Sequence, residues 1–264
     1  ANKSCKLVVY SEQYTDFLRL NAMLTLSLPS FAVRLPLLAF GLSFAVWAGM
    51  TGIAGLHNFQ ANAYLELWNQ QLLKNNAYQP TDSDYEMVLH ASQRSIELTP
   101  YNADYQILTA NLHMWQLLNN KTLSPTQQKS LKKDILNYYR TALTQRPSWP
   151  YTYADFATTK ARFGEIDAEM QQALRTANKL GAREIDVLHI TLELGLPLWN
   201  QLNTETRLAI AGAVERSLTW QLGDRLNNRE LVFALSLVGA YERQADICPL
   251  LTPESKKIAN MCGH

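Results

Sequence analysis

The pattern of apolar and polar positions divides the chain near residue 56. Leu35 to Leu56 is a run of 22 residues without a charged side chain, LPLLAFGLSFAVWAGMTGIAGL. As a helix rising 1.5 Å per residue, this run would extend about 33 Å, which is enough to cross a hydrocarbon core of about 30 Å. The run therefore predicts one transmembrane anchor within residues 31–56. Pro36 falls in its first turn, where the missing N–H costs little.

Close to this run, basic residues are found only on its N-terminal side. Lys and Arg precede it at Lys3, Lys6, Arg19 and Arg34, whereas residues 57–66 contain neither. By the positive-inside rule, residues 1–30 are predicted to be a cytoplasmic tail and residues 57–264 to lie outside the cytoplasm.

Two other interpretations of the apolar run stay open. A signal peptide could be cleaved at the small residues Ala61-Asn62-Ala63, although the apolar core of such peptides is usually 7–15 residues long. A buried helix of a soluble protein is the second alternative. A stretch of 22 uncharged residues favours a retained anchor over both.

After residue 57 the apolar positions follow the helical period. Leu131, Ile135, Tyr138, Tyr139 and Ala142 fall on one face of a helix. Capping patterns predict helix starts at Ser83-x-x-Glu86, Ser124-x-x-Gln127, Asn227-x-x-Glu230 and Thr252-Pro253. Glycines predict helix ends at Gly164 and Gly181. The expected fold is all-α, with antiparallel helix pairs joined by short turns.

These helix pairs also look repetitive. Residues 95–100 resemble residues 142–147, because in both segments a helix ends just before a proline. Pro100 to Pro147 spans 47 residues, with an insertion expected in residues 119–124, whereas Pro147 to Gly181 spans 34, the period of the tetratricopeptide repeat. We therefore predict that residues 57–264 form a tetratricopeptide-like α-solenoid, whose stacked pairs bury a continuous core and leave a groove for partners.

Several segments resemble one protein family. The run RPSWPYTYADFATTKARFGEIDAEMQQALRTANKLG (residues 146–181), the N-terminal anchor, and the tail ICPLL…MCG are similar to VpsP-like polysaccharide biosynthesis proteins. The resemblance implies an accessory factor of exopolysaccharide or capsule export in Gram-negative bacteria. It further implies a single-pass inner-membrane protein with residues 57–264 in the periplasm, and it supplies no catalytic residues.

Charge and motif content exclude several functions. The chain carries a net charge of +1, which gives no electrostatic reason to expect nucleic-acid binding. None of the five histidines has the spacing of a metal site, and no P-loop, GxSxG or GxGxxG motif occurs. We therefore predict a protein that is not an enzyme and needs no metal or cofactor.

Three acidic residues cluster at a predicted helix start. Glu165, Asp167 and Glu169 could act as a general acid–base pair. The favoured interpretation is stabilisation of a helix N-terminus through its dipole, with the three groups facing different sides of the helix.

Aromatic residues are densest just after Pro147. Trp149, Tyr151 and Tyr153, with Arg162 nearby, could stack on sugar rings or clamp a peptide. The alternative, which the repeat pattern favours, is that they pack between repeats.

Two cysteines lie in the predicted outer domain. Cys248 and Cys262 are 14 residues apart and would face an oxidising compartment, which favours a disulfide bond over two free thiols.

The function that these features favour is a membrane-anchored scaffold that binds other envelope polysaccharide assembly proteins. A direct glycan-binding module and a generic helical adaptor are the alternatives.

Overall fold

The structure is a computed structural model that describes residues 31–222, 225–226 and 228–262. The chain divides into two compact units between Gly52 and Ile53. The predicted tail 1–30 and the predicted cap Asn227 lie outside the described residues.

Within the described ranges, the chain forms eleven α-helices, two short 3-10 helices and one hairpin of two-residue strands. The α-helices are α1 (Phe31–Lys74), α2 (Asp82–Leu98), α3 (Ala103–Asn119), α4 (Pro125–Gln145), α5 (Pro150–Arg162), α6 (Ala168–Leu180), α7 (Ile185–Gly195), α8 (Thr204–Leu218), α9 (Asn228–Ala240), α10 (Gln244–Ile247) and α11 (Pro253–Ala259). The 3-10 helices are Trp199–Gln201 and Cys248–Leu250, and the strands are β1 (Gln221–Leu222) and β2 (Arg225–Leu226). The all-α prediction is confirmed, and the repeat solenoid stays a prediction.

Helix α1 contains the predicted membrane segment. Leu35, Phe40 and Phe44 are exposed there, as are most large apolar side chains of the segment. Among the described residues, α1 is the one helix long and apolar enough to cross a membrane by length and composition. The helix continues past Leu56 to Lys74, because its last turns again have a buried apolar side, which includes Trp68.

Local capping explains where several helices begin. At α4, the Ser124 hydroxyl accepts from the Gln127 N–H while the Gln127 side chain accepts from the Ser124 N–H, so the predicted capping box is confirmed. Thr252 caps α11, with Pro253 in the first turn as predicted. The predicted cap Ser83 is wrong: the cap of α2 is Thr81, two residues earlier, whose side chain accepts from the Asp84 N–H.

Helices α2 to α9 each pack against the next helix along the chain. Additional contacts join α5 to α7, α6 to α8 and α7 to α9, so alternate helices also lie side by side. Close packing between α7 and α8 depends on Gly195, because a Cβ at this position would overlap the Ile210 side chain. Stacked pairs of this kind are what the predicted solenoid requires.

The core of the second unit consists of clusters in sequence order. One cluster around Trp68 and Trp115 joins the end of α1 to α2 and α3. A second around Phe156 joins α3 to α6, and a third around Leu192 joins α7 to α11. Each cluster is formed by side chains of helices that follow one another in the sequence.

Two features hold the C-terminal segment. Cys248 and Cys262 form a disulfide bond, with their Cα atoms 5.5 Å apart. The Glu215 carboxylate on α8 accepts hydrogen bonds from the hydroxyls of Thr252 and Ser255. Together these contacts fix α11 against the core helices.

Candidate functional site

A groove of about 540 Å³ lies along the N-terminal ends of α5, α7 and α9. Its volume is within the range of small-molecule sites, about 300–1,000 Å³. Eight residues line it: Tyr151, Arg183, Glu184, Ile185, Asp186, His189, Arg229 and Glu230.

The stacking of alternate helices explains why these residues meet. When consecutive helices are antiparallel, every second helix runs in the same direction, so the N-termini of α5, α7 and α9 share one edge. Carboxylates are favoured in the first turn of a helix, where the dipole is positive. Asp186 and Glu230 occupy such positions in α7 and α9.

Tyr151 joins α5 to the start of α7. Its hydroxyl donates to the Glu184 carboxylate at 2.7 Å. This hydrogen bond is the main reason that the pKa of Tyr151 rises to about 12. The ring of Tyr151 is therefore held at the groove wall by a polar contact at its tip.

Trp149 forms an exposed aromatic edge beside the groove. Its ring lies 5.3 Å from the Tyr151 ring and is 44% exposed. The Arg146 guanidinium lies 5.1 Å from the Trp149 ring centroid and forms a bidentate ion pair with Asp104. A chain of contacts thus runs from α3 to the groove and fixes the indole.

His189 and Glu230 form the innermost polar pair of the groove. The imidazole Nε2 lies 2.6 Å from the Glu230 carboxylate, and the Glu230 side chain is 2% exposed. The Phe233 ring packs against the imidazole at 3.9 Å between centroids. A carboxylate that accepts from Nε2–H fixes the tautomer and orientation of the ring.

Two groove residues keep their polar groups available. Arg183 and Asp186 are exposed and make no hydrogen bond or ion pair with other residues that the structure describes. They offer a forked donor and a carboxylate acceptor to a ligand. None of the eight lining residues is Ser, Thr or Cys, and the one hydroxyl of the lining, that of Tyr151, donates to Glu184.

The structure separates the sequence-predicted aromatic group. Tyr151 lines the groove and Trp149 lies beside it, whereas Tyr153 is partly buried and packs against two core clusters. Arg162 is the last residue of α5, at the opposite end of that helix from Trp149. Of the four predicted residues, one therefore lines the groove, one lies next to it, and two lie elsewhere.

A second charged cluster surrounds Lys160 at the end of α5. Its ammonium lies 3.1 Å from Glu165, 2.8 Å from Asp167 and 2.7 Å from Glu169, and the side chain is only 1% exposed. Arg140 on α4 adds a bidentate pair with Glu169 at 2.8 Å. The hydrogen bonds from Arg140, with those from Lys160, lower the pKa of Glu169 to about 2.

The sequence interpretation of this acidic cluster was partly wrong. Asp167 does cap α6, since its side chain accepts from the Met170 N–H. However, Glu165, Asp167 and Glu169 do not face different sides, because all three converge on Lys160. Gly164, with φ of +80°, lets the chain turn back so that the three carboxylates can surround the ammonium.

Few features of the sequence predicted the groove residues. His189 and Glu230 are 41 residues apart, and Tyr151 and Glu184 are 33 apart. The one usable signal was the 34-residue period, which predicts that residues about one period apart lie side by side. No group of three or more His, Cys, Asp or Glu with the geometry of a metal site occurs among the described residues.

Comparison with known proteins identifies no family. No protein-family model matches the chain, and no curated protein matches it.

Proposed function

We propose that this protein is a membrane-anchored scaffold of envelope polysaccharide biosynthesis and export, serving exopolysaccharide or capsule assembly. In this proposal, α1 anchors the chain, and the helical domain binds other proteins of the assembly. The exposed Trp149 edge of the groove is the proposed centre of that contact.

One observation carries the proposal: a single chain combines an apolar helix of membrane length with stacked helices that form an open groove. Repeat-type helical stacks bind partners through such concave surfaces. Trp and Arg dominate the energetics of protein interfaces, and the indole of Trp149 with its Arg146 neighbour forms a rigid, exposed pair of this kind.

The link to polysaccharide rests on the resemblance of residues 146–181. This segment corresponds to α5 and α6 with the turns around them, and it contributes Tyr151 to the groove lining and Trp149 beside it. It therefore includes the surface to which we assign partner binding.

The proposed location is the bacterial inner membrane, with the N-terminus in the cytoplasm and the helical domain in the periplasm. Arg34 precedes the apolar segment, as the positive-inside rule requires. A disulfide bond between Cys248 and Cys262 also suits an oxidising compartment.

Crosslinking in cells tests the partner proposal. Tagged full-length protein should capture polysaccharide assembly proteins, and Trp149→Ala should lose most of that capture. Tyr101→Ala is the matched control, because Tyr101 is 87% exposed and lies outside the groove. Equal capture by both variants would exclude Trp149 as the contact, and capture of no assembly protein by the wild type would overturn the function.

A reporter fused after His264 tests the location. Alkaline phosphatase, which needs an oxidising compartment, should be active there, whereas a cytoplasmic fluorescent reporter at the same position should be dark. The reverse result would refute the proposed orientation.

A further inference from the structure

We propose that the groove at the ends of α5, α7 and α9 binds an uncharged saccharide. This inference rests on the proposed function and deepens it, since it names the ligand that the groove would hold while protein partners bind at the exposed Trp149 edge beside it. The observations that carry it are the polar composition of the groove, its aromatic wall and its balance of charge.

The available polar groups match sugar hydroxyls. Each hydroxyl can donate one hydrogen bond and accept others, so a saccharide needs donors and acceptors close together. Arg183 supplies a planar fork of N–H donors, and Asp186, three residues later, supplies two acceptor oxygens. Both groups are without partners among the described residues and need no existing contact to break.

The inner wall provides further polar groups. The hydrogen bond between Nε2 of His189 and the buried Glu230 carboxylate fixes the orientation of the imidazole ring. Glu184 already accepts from the Tyr151 hydroxyl, and a carboxylate has capacity for additional donors. These groups are oriented before a ligand arrives, which reduces the entropy cost of binding.

The aromatic wall suits the apolar face of a sugar ring. Tyr151 is held by Glu184 at its hydroxyl and by Trp149 at its ring, with 5.3 Å between the ring centroids. The negative face of an aromatic ring attracts the polarised C–H groups of a sugar ring, and the rigid side chain gives large contact area at low entropy cost.

The same lining disfavours the two competing ligand classes. A peptide needs apolar pockets for anchor side chains, and only Ile185 and Tyr151 among the eight lining residues offer such surface. A polyanionic glycan would meet three carboxylates against two guanidinium groups, and the buried Glu230 could not move away from it. An uncharged saccharide fits both constraints.

The test uses the full chain in lipid nanodiscs, because alkyl glycoside detergents would themselves present sugars to the groove. Labelled protein is applied to an array of uncharged glucan, mannan and galactan oligosaccharides, uronate oligosaccharides and peptides, and the best uncharged probe is titrated calorimetrically. Asp186→Asn and Arg183→Gln should each weaken its affinity about tenfold, since each removes a charge-assisted hydrogen bond. Glu97→Gln and Lys133→Gln, exposed residues outside the groove, should leave the affinity unchanged.

Binding of an uncharged oligosaccharide that both groove variants weaken would support the inference. Binding only to uronates or peptides, no saccharide binding at millimolar concentration, or saccharide binding that ignores both groove variants would overturn it. If no saccharide binds but assembly proteins are still captured, the saccharide inference is wrong and the scaffold function stands. If a saccharide binds but no assembly protein is captured, the scaffold function is wrong and saccharide binding stands.

Discussion

The Lys160 cluster and the groove around His189 are built from the same residue types, yet they differ in how their polar groups are used. The Lys160 ammonium is 1% exposed and pairs with three carboxylates, one of which also holds Arg140. In the groove, His189 and Glu230 pair with each other, while Arg183 and Asp186 face solvent without a partner.

This difference separates a structural role from a binding role. A closed network holds neighbouring helices and has little hydrogen-bonding capacity left for a ligand. Exposed polar groups without protein partners contribute little to stability, and they can exchange bound water for ligand atoms at a small cost in free energy. Substitutions in the Lys160 cluster should therefore change stability, and substitutions of Arg183 and Asp186 in the groove should change binding.

The largest effect is expected from Lys160→Ala. It leaves Glu165, Asp167 and Glu169 repelling one another and opens a cavity beside Phe156, so the free energy of unfolding should fall by about 3 kcal/mol. Urea denaturation of the full chain, followed by circular dichroism, measures this. The exposed Lys133→Ala serves as control, and a loss below about 0.5 kcal/mol would show that the cluster is not structural.

Acid should weaken the same cluster to a smaller extent. The folded-state pKa of Glu169 is about 2, below its ordinary value of 4.5, because Arg140 and Lys160 donate to the carboxylate. A lowered pKa stabilises the fold above the ordinary value, and that stabilisation is lost as the pH falls from about 4.5 towards 2. Arg140→Ala should therefore flatten the dependence of the urea midpoint on pH over this window; equal slopes in variant and wild type would contradict the assignment.

Glu230→Gln should lower the free energy of unfolding by about 1 kcal/mol. The amide keeps the size of the buried side chain and can still accept from His189, so only the charge assistance of that hydrogen bond is lost. Glu193→Gln, an exposed change on the same helix as His189, is the control. A loss above about 3 kcal/mol in Glu230→Gln would place this pair with Lys160 among the structural networks.

The smallest stability effect is expected from Asp186→Asn and Arg183→Gln. Both residues are exposed and unpaired among the described residues, so each change should alter the free energy of unfolding by less than about 0.5 kcal/mol. The same denaturation series measures this, and a larger loss would mean that the groove residues stabilise the fold.

Much of the local structure was predictable from neighbouring residues. The capping box at Ser124 and the cap at Thr252 depend on hydrogen bonds within one helical turn, so their residues suffice to predict them. The prediction at Ser83 was wrong because Thr81, two residues earlier, is an equally good capping residue, and local chemistry alone could not choose between them.

The sequence by itself determined the membrane-length helix and the helical class, because apolar length and helical period are properties of consecutive residues. Only the tertiary structure decided that the Glu165, Asp167 and Glu169 carboxylates surround one buried ammonium, and that Tyr151, His189 and Glu230 line one groove. These groups meet through turns and through packing between helices that are distant in the sequence. The relative position of such helices depends on side-chain packing over the whole stack, which no local pattern contains.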